Sequence, residues 1–415
     1  MVVFGRDIII FSIKSCAFQN TGDLNTDWKR WCKRAILESA EQIYGAVKWI
    51  KNHPNKVFLD KEVSHPLPIE LPPIAECRFH RIVIALNASE RCSSYFNGDS
   101  GSLMILPHLK GNAHIDEANP GYFPFSVGQL NPSKGFIHVL DDVTLDIILR
   151  ELDTVSDFVN YLSRKEKFVC SGQLGAAAGE EELLAYYLTH INENKEHDFV
   201  FQEDKIVIGK GLWEDYERDP QYIAKKQADK ISYLWDSLIE LFIQKDKSII
   251  GDGLSMSNHK PVITDYEKAV RILASEGRVS RRMLMMSIIN LIKTNSTDMV
   301  RVIMPSLKNN HRAYIILLCP NPSDAVSIEK RISCFNCYGQ VLKSKSPQFT
   351  EIVGITIQGT QGNFSPKDLF YLNTEGWTPE DNIEAQKIQQ QLGILLDGSG
   401  RGSSEKFHIE EYPGF

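Results

Sequence analysis

No stretch of the 415-residue chain approaches the ~18 or more apolar residues of a membrane-spanning helix. Arg6 and Asp7 break the apolar run at the N-terminus, which makes it a poor signal peptide, and the reading that follows is a cytoplasmic protein. Cysteine is sparse and scattered: there are eight, and "CFNC" (Cys334, Cys337) has no second CxxC or nearby His pair to complete a zinc site. Buried reduced thiols are the consequence. An excess of basic charge is missing as well. Lys and Arg number 46 against 53 Asp and Glu, a net charge of -7, which argues against a surface wholly devoted to nucleic acid and leaves room for a local basic face. No internal repeat is present, and "GKG" (Gly209 to Gly211) lacks the spacing and the Ser/Thr of a P-loop.

What remains is an ordinary globular balance, 42% hydrophobic and 24% charged residues, in a chain too long for one usual core. The opening "MVVFGRDIIIFSIKSC" reads as a β-hairpin: a short apolar run, the turn residues Gly5-Arg6-Asp7, and a β-branched strand from Ile8. "FQNTGDLNTD" is a polar loop ending on Asp27 as N-cap, and "WKRWCKRAILESAEQIYGAVKWIKNH" carries Trp28, Trp31, Cys32, Ala35, Ile36, Ala40, Ile43, Val47 and Ile50 at helical spacing. "RIVIAL" then reads as a buried strand, "NASERCSSYFNGDSGS" as a loop, and "GFIHVLDDVTLDIILRELDTVSDFVNYLSRKEKF" as a strand and two helices, capped by Asp141 or Asp142 and by Asp153 or Thr154. The alternation predicts a first α/β domain over 1–167, a mainly helical connector over 168–258 and a second α/β domain over 259–395. A Gly/Ser-rich, flexible tail over 396–415 follows.

Alternation in the second hairpin strand puts Ile8, Ile10, Ser12 and Lys14 on one face, followed by a loop and the long helix carrying Gln42. This arrangement resembles the PD-(D/E)XK restriction-endonuclease-like superfamily, in which an acid stands on one strand and an acid-x-Lys triplet on the next. The segments "DWKRW" and "LRELDTVSDFVNYL" are also similar to parts of uncharacterised bacterial proteins with a nuclease-like N-terminal domain. The resemblance implies a metal-dependent phosphodiester hydrolase acting on DNA or RNA with Mg²⁺ or Mn²⁺. Lys14 falls on the family's lysine, Ser12 on its acid position and Gln42 on the glutamine of the following helix. Lys29, Arg30, Lys33 and Arg34 become candidate contacts to the nucleic-acid backbone.

The departures point the other way. Ser12 is a weaker ligand for a hard cation than a carboxylate, no acid precedes the turn, and Asp7 lies in the turn at the wrong end of the strand. The resemblance therefore implies a domain without its first helix and first metal acid, and a rival function: a non-catalytic interaction or regulatory protein that keeps the fold. Plainer readings exist for each residue. A strand-terminal lysine commonly snorkels, and a basic run on a helix is commonly a solvated or acid-paired face. "GDSG" (Gly98 to Gly101) lacks the all-β context of a serine protease and reads as a Gly-rich turn. His190, His197, His259 and His311 stand apart, "RRMLMMSII" reads as helix core, and Arg278, Arg281 and Arg282 read either as an anion-binding patch or as paired surface charge.

Overall fold

The computed structural model describes residues 1–415 except 99, 195, 202–203, 245–262, 294–299, 320–327, 361–362, 396–410 and 413–415. The chain is mixed α/β and divides into two compact units, Met1–Asp219 and Pro220–Phe415. The division falls inside the stretch read as a connector: the elements up to Arg218 belong to the first unit and those from Pro220 to the second. Most of the tail expected over 396–415 lies outside the described residues.

In the first unit, β1 (Val2–Phe4) and β2 (Asp7–Ser15) form the expected antiparallel hairpin, with Gly5 at φ 56° turning the chain. Asp7 is not in the turn. It is the first residue of β2, buried, and its carboxylate accepts from Arg78 (2.6 Å) and His80 (2.8 Å). The chain then crosses through α1 (Leu24–Cys32) and α2 (Glu38–Asn52) to β3 (Arg78–Leu86), which pairs parallel to β2, Ser12 opposite Val83 and Lys14 opposite Ala85. β6 (His138–Leu140) completes a sheet of order β1-β2-β3-β6.

Two local expectations are corrected. The cap of α1 is Asp23, whose side chain accepts from Asn25 N–H; Asp27 lies one turn inside and receives Thr21 instead. "NASERCSSYF" is not all loop, since Ser89–Tyr95 forms a short helix, α3, with Cys92 buried. A second sheet, order β5-β4-β7-β8, comprises β4 (Met104–Lys110), β5 (Ser126–Gln129), β7 (Leu174–Ala177) and β8 (Ile206–Ile208). Helices α4 (Asp142–Glu151) and α5 (Val155–Cys170) start at Asp141, in a capping box with Thr144, and at Thr154. They are followed by α6 (Glu180–Thr189) and α7 (Leu212–Arg218).

The second unit is a four-stranded sheet between helical layers. β9 (Val300–Pro305), β10 (Arg312–Cys319), β11 (Glu351–Thr360) and β12 (Asn363–Asn373) run in the order β12-β11-β10-β9, with β10 and β11 parallel. "RAYIILLC" is buried along its whole length because both faces are covered. Tyr314, Ile316 and Leu318 meet Trp235, Phe242 and Leu284, from α9 (Tyr233–Gln244) and α11 (Arg278–Lys293). Ala313, Ile315 and Leu317 meet Phe335 and Val341 of α12 (Ile328–Lys345). The first layer also holds α8 (Pro220–Asp229) and α10 (Ile263–Ala274), and α13 (Pro379–Leu392) packs beside α12. The methionine-rich helix is core, as expected, through Leu284, Met285 and Ile288.

Candidate functional site

The basic helix α1 is held down by its indoles. Trp28 and Trp31 are fully buried; Trp28 donates to the His114 carbonyl (3.0 Å) and Trp31 to the Cys16 carbonyl (3.1 Å). Phe18 and Phe125 pack against them. With that face buried, Lys29, Arg30, Lys33 and Arg34 are exposed on the other.

The long helix expected from residue 28 onward is interrupted between α1 and α2 by a π turn, Lys33–Leu37. Glu38 N–H bonds there to the Lys33 carbonyl, five residues back rather than four, and the Arg34 carbonyl accepts from Lys14 Nζ at 3.1 Å. Such turns widen a helix locally and recur at functional sites. Here the turn gives the strand lysine a backbone acceptor.

Three residues named from the sequence do converge. Ser12 Oγ donates to Gln42 Oε1 (3.1 Å), and Lys14 Nζ donates to Glu38 Oε2 (3.3 Å), so both strand side chains point to α2, on the face that alternation assigns them. The basic run divides. Lys29 and Lys33 line an open groove of about 1020 Å³ with Leu37, Glu38, Glu41 and Gln42, across from Asn112, Ile115 and Asp116. Arg30 turns instead to Gln19 (3.2 Å), and Arg34 to the Arg30 and Ala17 carbonyls, bracing the loop after β2. The far wall is pinned to α1: Tyr122 Oη donates to Asn25 (3.2 Å), while His114 bonds the Gly111 carbonyl (2.7 Å) through Nδ1 and accepts Gly128 N–H at Nε2 (2.9 Å). Burial pulls the His114 imidazole below its ordinary value, which matches this neutral tautomer.

Glu38 was not singled out from the sequence. The signal was present in its position four residues before Gln42, hence on the same helix face. Glu41, also in the groove, is engaged by Lys134 (2.6 Å). The carboxylate beside Lys14 is thus Glu38, already paired with the lysine, and among the described residues no group of three or more His, Cys, Asp and Glu is placed to hold a metal ion. The residues present do not form the carboxylate set that Mg²⁺ or Mn²⁺ requires.

A second set of acids, Glu180, Glu181 and Glu182 at the start of α6, is buried and belongs to no motif singled out above. Each has its own task. Glu180 accepts Tyr161 Oη (2.8 Å) and pairs with Lys165; Glu182 accepts the N–H groups of Gly211 (2.7 Å) and Trp213 (2.8 Å). "GKG" therefore ends on a helix start whose amides are taken by a side chain. Glu181 Oε1 accepts Ser100 and Ser102, both at 2.6 Å, which gives these two serines a structural role. Burial pushes the Glu181 carboxyl up, the two hydroxyls pull it back, and nearby Asp141 adds to the rise.

The remaining motifs resolve as packing or pairing. Cys334 and Cys337 lie on α12, and none of the eight cysteines is in a disulfide. His190 and His311 bond backbone carbonyls of Tyr186 (2.6 Å) and Gln348 (3.0 Å), and His259 lies outside the described residues. Arg278, Arg281 and Arg282 are buried, not surface, and pair with Asp236 and Asp229. No helix among the described residues is long and apolar enough to cross a membrane. No family model, curated protein or solved structure matches the chain.

Proposed function

We propose that the first unit is a nuclease-like domain that holds the phosphodiester backbone of DNA or RNA in the groove beside Lys14 without hydrolysing it. The observation that carries this reading is the meeting of Ser12 and Lys14 with Gln42 and Glu38 at the rim of a groove lined by Lys29 and Lys33. The hairpin, helical crossover and parallel strand β3 support a restriction-endonuclease-like layout. Two carboxylates of the groove are neutralised, Glu38 by Lys14 and Glu41 by Lys134, which lowers the repulsion a phosphate would meet. The absence of a fitting carboxylate set favours binding over hydrolysis. Eight cysteines outside any disulfide support a reducing, cytoplasmic setting.

The test joins binding to cleavage on supercoiled DNA, linear DNA and single-stranded RNA, with Mg²⁺, Mn²⁺ or EDTA. The expected result is salt-dependent binding, with no cleavage above that of Lys14→Ala. The Lys29→Ala/Lys33→Ala chain should bind more weakly, and its salt slope should fall by about two, one per lost phosphate contact. Metal-dependent cleavage that disappears in Lys14→Ala would restore the hydrolytic reading. Absence of any binding would remove nucleic acid as the partner.

A further inference from the structure

The ammonium of Lys14 is held by two acceptors of different kinds. One is the Arg34 carbonyl at 3.1 Å, part of the main chain of the π turn; the other is Glu38 Oε2 at 3.3 Å, at the end of a flexible side chain. The carbonyl cannot leave unless the turn unwinds. The carboxylate can rotate away, since the Glu38 side chain is 52% exposed, against 24% for Lys14. An ion pair so open to water is screened and weak. Departure of Glu38 therefore leaves the ammonium in place, still anchored on the turn.

An ammonium carries three N–H donors, and these two acceptors leave one of them over. A phosphate on that donor would lie beside the Glu38 carboxylate, and the repulsion between two anions on one nitrogen makes them alternatives. A phosphodiester backbone also engages Lys29 and Lys33, which line the same groove and are exposed, so it competes with several charges against one carboxylate. Glu41 provides the contrast. It lines the groove on the same helix but is paired with Lys134, not with the strand lysine.

On the nucleic-acid reading of the groove given above, we propose that Glu38 is an internal stand-in for a backbone phosphate: it occupies Lys14 in the unbound chain and exchanges for a phosphate of DNA or RNA on binding. Glu38 is then a positioning residue, which sets affinity through Lys14 and not merely through its charge.

The test measures binding of full-length chains to fluorescent single-stranded DNA, duplex DNA and single-stranded RNA by anisotropy at one fixed salt concentration. Glu38→Gln and Glu41→Gln are each placed in the natural chain and in Lys14→Ala. Glu38→Gln should tighten binding at least about threefold more when Lys14 is present than when it is absent, a factor within the worth of an exposed ion pair. Glu41→Gln removes the same charge from the same groove, and its effect should be equal in the two backgrounds. A smaller difference for Glu38→Gln, weaker binding by that chain, or an equal dependence of Glu41→Gln on Lys14 would overturn the exchange while leaving nucleic-acid binding intact. No binding by either the natural or the Glu38→Gln chain would remove the nucleic-acid reading and the exchange with it.

Discussion

At the scale of single residues, charge is placed where a backbone or a counter-ion awaits it. Glu182 satisfies two amides at the start of α7 while only 5% exposed, so Glu182→Ala leaves buried donors without an acceptor. The expected cost is about 2–3 kcal/mol, the range for charge-assisted bonds, and urea unfolding measures it. His138 presents the opposite case. It is fully buried, neither ring nitrogen has a hydrogen-bond partner, and burial, helped by Lys165, His80 and Arg81, holds it well below its ordinary 6.5. A histidine depressed in the folded state contributes stability that is complete above 6.5 and is lost as pH falls below it. Glu181 and Asp141, raised by burial, act in the other direction, because protonation relieves them. Comparison with His138→Phe isolates the histidine. Between pH 6.5 and 5.5 the natural chain should lose up to about 1 kcal/mol relative to that variant, measured by urea unfolding at each pH.

At the scale of elements, the decisive features are interruptions and close approaches. The π turn at Lys33–Leu37 breaks a helix whose apolar spacing gives no warning, and Lys14 then finds the Arg34 carbonyl. Close approach governs β11. A Cβ at Gly354 would lie 2.4 Å and 2.5 Å from ring carbons of Phe335, which is itself fully buried on α12. Gly354→Ala should therefore destabilise the chain by about 1–3 kcal/mol, as overpacking does. Combined with Phe335→Leu, its cost should be less than additive by at least about 0.5 kcal/mol, since the two share one space. A double-mutant cycle by denaturant unfolding reads this directly.

At the scale of the whole molecule, two units with separate cores imply that one unfolding free energy does not describe the chain. Denaturant unfolding followed by hydrogen exchange should show Glu182→Ala shifting the transition of residues 1–219 and Gly354→Ala that of residues 220–415. A shift of both transitions by either substitution would refute separate cooperative units.

The strands that open the first unit were legible from periodicity, because a buried β-strand needs little more than β-branched and apolar residues between breakers, as "IIIFSIK" and "RIVIAL" show, whereas β4, β5, β7 and β12 were not. Equally legible were the shared direction of Ser12 and Lys14 and a helix start at Asp153 or Thr154, of which the structure uses Thr154. What only the tertiary structure decided are relations across long separations. Glu38 meets Lys14 over 24 residues, Ser100 meets Glu181 over 81, and Arg282 meets Glu411 over 129. Local composition cannot encode these, since whether an acid is a solvated charge, a helix cap or a counter-ion depends on which element folding brings beside it.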